Sequence, residues 1–239
     1  EQARATIGAF INATPQDIIF TKGTTESINL VATGWGLCHL KPGDEILLTA
    51  VEHHANLLPW QWVAQQTGAN LVFIPLDHST FLLQKPMQYV SPKTKIVAVT
   101  MSSNVLGPVW HGQDLAELIQ RAHEVGAVVL LDAAQVVAHT PLDAKALTAD
   151  FIAFSGHKLF GPTGAGVLYA TPAMQEAMEP YQRGSSMVYE AWLDHATWQH
   201  GPQKFEAGTP LIAEAIGLAA TVAYLQKSIN WTAVHAHET

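Results

Sequence analysis

The sequence predicts an α/β fold of three layers, in which helices cover both faces of a mostly parallel seven-stranded sheet with one antiparallel strand. Two observations predict it. Seven short β-branched or apolar runs recur along the chain, and stretches with helical spacing separate most of them. The last two runs are joined only by Gly161-Pro162-Thr163-Gly164-Ala165-Gly166, which leaves no room for a crossover helix and makes the final strand antiparallel to its neighbour.

In chain order, Glu1 to Ile11 reads as a helix already under way, and Ile18–Thr21 as the first strand. Thr24–Gly36 has helical spacing and leads to the strand Glu45–Thr49. The helix Asn56–Thr67 and the strand Leu71–Ile74 follow, then the strand Ile96–Thr100 and the helix Gln113–Val125. Val128–Asp132, Phe151–Phe154 and Gly166–Tyr169 complete the strands. Thr209–Lys227 reads as a long helix leading away, so residues 1–208 form a large domain and 209–239 a connecting helix with the start of a second, small domain. A fragment of a longer protein is expected, since the first residues lack an initiator methionine and Trp231 to Thr239 carry no helix-ending signal.

Composition narrows the function classes. Hydrophobic residues make up 48% of the chain, enough for a sizeable core. A net charge of −8 with only 12 scattered Lys and Arg argues against a nucleic-acid surface. No apolar run approaches a membrane span, and no basic-then-apolar leader opens the chain. One cysteine, Cys38, excludes an intrachain disulfide and fits a reducing, cytoplasmic compartment.

The residues that carry chemistry lie where strands end. Lys158 follows the run Phe151–Phe154 within Ser155-Gly156-His157-Lys158, and Asp132 ends the run Val128–Leu131 with Gln135 three residues on. Pyridoxal phosphate (PLP) requires such a pair: an amine to condense with its aldehyde, and a carboxylate to keep its pyridine nitrogen protonated so that the ring can accept electrons. Ligands of parallel sheets sit at the carboxyl ends of strands, where both residues fall. Thr21-Lys22-Gly23-Thr24-Thr25-Glu26 places a glycine and hydroxyls where a strand gives way to a helix, a setting for a phosphate that is equally compatible with ordinary capping by Thr24. It is not a Walker loop, and neither is Gly161–Gly166, which permits close backbone packing beside the lysine.

Among the histidines, His53 opens onto the same sheet edge after the strand ending at Thr49, where an imidazole can stack on a pyridine ring and pass protons. Its neighbour His54 is expected to point elsewhere. His39, His78, His123, His195, His200, His235 and His237 read as surface residues, and no metal site is expected because His235 and His237 lack a third ligand.

Gly23-Thr24-Thr25-Glu26-Ser27-Ile28-Asn29-Leu30, Glu52-His53-His54-Ala55-Asn56, Ser103-Asn104-Val105-Leu106-Gly107, Asp132-Ala133-Ala134-Gln135, Ser155-Gly156-His157-Lys158 and Phe205-Glu206-Ala207-Gly208-Thr209-Pro210 occur in order. With these motifs the whole chain resembles the large domain of class V, fold-type I PLP-dependent enzymes, and within them the group II cysteine desulfurases and selenocysteine lyases. The resemblance implies that Lys158 condenses with PLP, Asp132 pairs with its pyridinium, Gln135 bonds the ring hydroxyl and His53 stacks on the ring. It implies that Thr25, Ser155 and His157 bind the phosphate with Thr24 close by, and that Asn104 lies near the ring hydroxyl and the substrate carboxylate. It also implies a homodimer in which Thr209 reaches the partner's cofactor phosphate. The implied reaction takes sulfur from L-cysteine, leaving L-alanine and an enzyme persulfide for a sulfur-acceptor protein, as in iron–sulfur cluster assembly. The family's nucleophilic cysteine and carboxylate-binding arginine lie in the region after Thr239, and Cys38, Arg4, Arg121 and Arg183 do not match them.

Departures from the family pattern are Ala133 for glycine, Met101 for a common histidine, Arg183-Gly184-Ser185-Ser186 for a glycine-rich segment, and Leu211 for asparagine. Another class V enzyme (an aminotransferase, selenocysteine lyase or isomerase) and a non-catalytic PLP-binding scaffold are the competing readings, and the intact Lys158, Asp132 and His53 weigh against the scaffold.

Overall fold

The computed structural model describes residues 1–108, 110 and 113–238. Seven strands form its main sheet: β1 (Ile18–Thr21), β2 (Glu45–Thr49), β3 (Asn70–Ile74), β4 (Thr94–Thr100), β5 (Val128–Asp132), β6 (Phe151–Ser155) and β7 (Gly166–Ala170). Their order across the sheet is β1-β7-β6-β5-β4-β2-β3. The pairs β2–β3, β2–β4, β4–β5 and β5–β6 are parallel, while β7 runs antiparallel to both its neighbours, β6 and β1. The expected single antiparallel strand is therefore β7. A separate two-stranded hairpin pairs β8 (Val188–Ala191) with β9 (Ala196–Trp198).

The strands read as continuous apolar runs because both faces of the sheet are covered. On one face Leu47, Val97, Val99, Val129, Leu131, Ile152 and Val167 join one buried cluster; on the other Ile46, Leu48, Ala98, Leu130, Phe151 and Leu168 join a second. The helices α1 (Gln2–Phe10), α2 (Thr24–Val31), α3 (His54–Thr67), α4 (Asp114–Glu124), α5 (Ile212–Ser228) and α6 (Trp231–Glu238) supply the outer layers. Ile7 and Phe10 of α1 and Leu118 and Ile119 of α4 enter the first cluster, and Ile28 of α2 with Trp60 and Val63 of α3 enter the second.

Three expectations about helices need correction. The helix expected over Thr24–Gly36 is regular only to Val31 and then widens into a π-type turn over Ala32–Gly36. There a Cβ on Gly34 would stand 2.3 Å from the Glu179 carbonyl oxygen, so the backbone swells where a neighbouring segment approaches it. The helix expected from Thr209 begins at Ile212, because Leu211 (ψ 69°) is outside helical geometry and Pro210 has no N–H to give. Nor does that helix lead away: α5 packs along α1, and Leu218, Val222 and Leu225 are part of the first buried cluster. Its far side, with Ile212, Ile216 and Tyr224, is exposed.

Candidate active site

All six parallel strands end at one edge of the sheet, and the sequence motifs gather there. Asp132 is the last residue of β5, paired in register with Ala153 of β6. Two residues further along, β6 ends at Ser155 and turns through the single 3₁₀ turn Gly156–Leu159, which carries His157 and Lys158, both exposed. Phe160 closes that turn in the left-handed region (φ 59°), a conformation that costs an L-residue about 1–2 kcal/mol. Gly161 allows the tight return: a Cβ there would lie 2.9 Å from the Gly156 carbonyl oxygen.

Asp132 is buried, and the backbone N–H of Ala134 donates to it at 2.9 Å. Burial pushes its carboxyl above the usual carboxylate range; the Ala134 donor and the positive potentials of His53 and Lys158 act in the opposite direction. A buried carboxylate at a strand end, facing an exposed lysine and an imidazole, calls for a cation.

The anion-binding elements meet across the sheet. Gly166, the first residue of β7, is in register with both Thr21 of β1 and Ser155 of β6. Gly23 lies directly over it, so close that a Cβ on Gly166 would come within 2.3 Å of the Gly23 Cα. This close approach brings the start of α2 onto the end of β6, where Thr24 N donates to Ser155 Oγ at 2.8 Å and the two hydroxyls are also 2.8 Å apart. The helix cap is Gly23, so the alternative of capping by Thr24 does not hold, and the Thr24 hydroxyl is turned to Ser155. Thr25 is exposed in the first turn, at the positive end of the helix. Hydroxyls, free helix N–H groups and the His157 imidazole form a donor set suited to a phosphate.

His53 caps α3: the Ala55 N–H donates to its Nδ1 at 3.1 Å. His53 and His54, with ring centroids 6.0 Å apart, line a hollow of about 400 Å³ with Glu52, Ser103 and Asn104. His54 is the first residue of α3, and the helix start leaves it beside its neighbour on the same rim. Asn104 is exposed and Gln135 half-buried. Thr209 is also exposed but lines a different cavity, of about 750 Å³, with Thr21, Lys22 and Glu26.

Two further groups carry weight that the motifs alone did not reveal. Glu52 ends the β2 loop with its carboxyl raised to about 7, chiefly by burial, against donors from Thr49, Asn56 and Thr100. Its only sequence signal is a carboxylate directly before His53. Arg4 of α1 forms a bidentate pair with Glu206 (2.9 and 2.8 Å), whose carboxylate also accepts from Phe20 N at 2.7 Å. This bridge ties the segment before Thr209 to β1. In the departing segment 183–186, the Arg183 guanidinium lies 5.8 Å from the Trp198 ring and the Ser185 carbonyl accepts from Gly208 N at 2.8 Å. Among the described residues no group of three His, Cys, Asp or Glu could hold a metal ion, and the His235 side chain lies outside them.

The sequence matches the family described as Aminotransferase class-V over residues 1–239. The chain belongs to that family. Among its class-V relatives, the probable cysteine desulfurase 1 of Mycobacterium leprae is 45% identical over 240 residues, covering 100% of this chain and 39% of the relative. The probable cysteine desulfurase of Halalkalibacterium halodurans is 46% identical over 240 residues, covering 100% and 58%. The class-V chain therefore spans between 39% and 58% of the length of these two relatives. Of solved structures, the Escherichia coli cysteine desulfurase CsdA superposes with a TM-score of 0.90 at 43% identity, over 99% of this chain and 58% of that one. The cystine C-S lyase C-DES superposes with a TM-score of 0.85 at 27% identity, over 97% and 62%.

Proposed function

We propose that the protein carrying this chain is a PLP-dependent cysteine desulfurase, which takes sulfur from L-cysteine, leaves L-alanine and passes the sulfur to an acceptor protein. The observation that carries the reading is the buried Asp132 carboxylate, raised by burial and drawn down by Lys158 and His53, at the edge where the anion-binding elements meet. The relatives' names support the substrate, and a mutant of C-DES with glycine covalently linked to its PLP cofactor supports the cofactor.

The residues present fit PLP. The cradle that only glycine permits at Gly166, the hydroxyls of Thr24, Thr25 and Ser155, and the His157 imidazole suit its phosphate. When bound, PLP supplies an aldehyde that condenses with an amine and a ring that accepts the electron pair released at the substrate carbon. Lys158 is the amine. Asp132 holds a proton on the pyridine nitrogen, and Gln135 and Asn104 orient the ring hydroxyl and the substrate carboxylate. His53, fixed through Nδ1 by the Ala55 N–H, presents Nε2 to the site and can move a proton there. The acceptor thiol is a separate matter. Cys38 is exposed and lies past the π-type turn that follows α2, and we do not assign it to the site.

The assembly we propose is a homodimer in the cytoplasm. Thr209 lines a cavity apart from that of His53 and Asn104, which favours a role toward the partner's cofactor. Among the described residues no helix is long and apolar enough to cross a membrane.

The test is product analysis of the full-length protein loaded with PLP. L-alanine formed with L-cysteine as substrate supports the reading. Cysteine persulfide formed from cystine, with no alanine from L-cysteine, would place the activity with the C-S lyases instead.

A further inference from the structure

Glu52 stands at a junction of three elements. Its Oε1 accepts from Thr49 Oγ1 at 2.6 Å, from Thr49 N at 3.3 Å and from Thr100 N at 2.9 Å. Its Oε2 accepts from Asn56 Nδ2 at 2.7 Å. Thr49 ends β2, Thr100 ends β4 and Asn56 is in the first turn of α3.

The polarity of this network is fixed by groups that can only donate. The buried Trp60 Nε1–H donates to Asn56 Oδ1 at 3.0 Å, which orients the amide so that Nδ2 faces both Ala98 O (3.0 Å) and Glu52. Backbone N–H groups fix the other side. Both carboxylate oxygens therefore act as acceptors, an arrangement that the carboxylate completes once it ionises above about pH 7 and that an amide, which turns an NH2 toward a donor, does not.

The clasp touches the site on two sides. Thr100 is the register partner of Asp132 in the β4–β5 pair, and Met101 N donates to Asp132 O at 2.9 Å. His53 is the next residue after Glu52, and Asn56 N donates to His53 O at 2.8 Å. The titratable groups around Glu52 are Asp132 on β5, His53 and His54 at the start of α3, and Lys158 beyond Asp132.

We infer that Glu52 is a positioning residue of the cofactor site: an anion that binds the ends of β2 and β4 to the start of α3, and so fixes His53 in relation to Asp132. The inference rests on the PLP reading above. Once ionised, above about pH 7, its charge adds to that of Asp132 and favours positive charge in the site, an effect that packing alone would not produce.

The experiment compares wild type, Glu52→Gln, Glu52→Asp and Thr49→Val in the full-length protein loaded with PLP. In Glu52→Gln, PLP dissociates at least about tenfold faster, and the pH midpoint of the cofactor's visible absorbance falls by at least about half a unit because an anion is lost. Glu52→Asp keeps the charge and shortens the reach, so retention weakens while the midpoint stays near that of wild type. Thr49→Val removes one donor and leaves the carboxylate, moving the midpoint in the same direction by less. Without PLP, the Thr100 amide exchanges faster in Glu52→Gln while the Leu130 amide in β5 does not. A wild-type midpoint and dissociation rate in Glu52→Gln, or a midpoint in Glu52→Asp that shifts as far as in Glu52→Gln, would overturn the inference. If Glu52→Gln does not fold, an unshifted midpoint in Thr49→Val overturns it. If wild type itself retains no PLP, the functional reading fails, and unchanged Thr100 exchange then decides against the clasp independently.

Discussion

Replacing Gly166 by alanine tests the cradle with one methyl group. Its Cβ would stand 2.3 Å from the Gly23 Cα, 2.6 Å from its N and 2.8 Å from its carbonyl carbon. All three are backbone atoms, so no side chain can rotate away. Carbon atoms settle at about 3.5–4.0 Å, and the Gly23 backbone must therefore retreat by more than about 1 Å. Thr24 moves with it, stretching the 2.8 Å hydrogen bonds to Ser155 beyond useful length. Overpacking costs about 1–3 kcal/mol and each of the two lost hydrogen bonds about 1 kcal/mol, for a total of about 3–5 kcal/mol. Because the distortion falls on the phosphate donors, PLP affinity should drop by about 10- to 100-fold. Gly164→Ala is the control: its φ of +76° imposes about 1–2 kcal/mol of backbone cost, but a Cβ there meets nothing within 4 Å. Urea unfolding and absorbance titration with PLP measure the two quantities. The reasoning is refuted if Gly166→Ala matches wild type in both, or if Gly164→Ala loses PLP affinity equally.

Further outcomes follow from the buried charges. Asp132→Asn should cut L-cysteine turnover by one to a few orders of magnitude, roughly 2–5 kcal/mol, with a smaller loss of PLP affinity, because an amide cannot hold the ring proton; steady-state rates and PLP titration separate the two. Glu206→Ala leaves the Arg4 guanidinium buried without its partner and should cost about 3–5 kcal/mol in urea unfolding, much of it recovered in the double variant Arg4→Met/Glu206→Leu. Glu52 makes the PLP-free protein pH-sensitive. Its folded value of about 7 exceeds the ordinary 4.5, so the folded state keeps a proton that the unfolded chain has released. That contribution is whole below about pH 4.5 and is lost as pH rises to about 7, a decline of about 3 kcal/mol that Glu52→Gln should remove from the stability–pH curve.

Much of this architecture is legible because parallel strands buried on both faces are written as unbroken apolar runs, such as Val128–Leu131 and Phe151–Phe154. Motif residues at the ends of those runs fall at one edge by topology alone, which is why Asp132, Ser155 and Lys158 could be placed together. What stayed hidden depends on contacts far along the chain. The Arg4–Glu206 pair spans 202 positions, and nothing near Arg4 marks it as buried. Glu52 gains its character from Thr100, 48 residues away, and from Trp60 acting through Asn56. The helix from Ile212 is apolar nearly all round, so only the position of α1 shows which side of it is covered.

The most direct test of the account is borohydride reduction of the full-length protein loaded with PLP, followed by peptide mass mapping. The account predicts one modified peptide, carrying the pyridoxyl mass on Lys158, and no label in Lys158→Ala. A label on another lysine, or a reducible link to PLP that survives in Lys158→Ala, would contradict it.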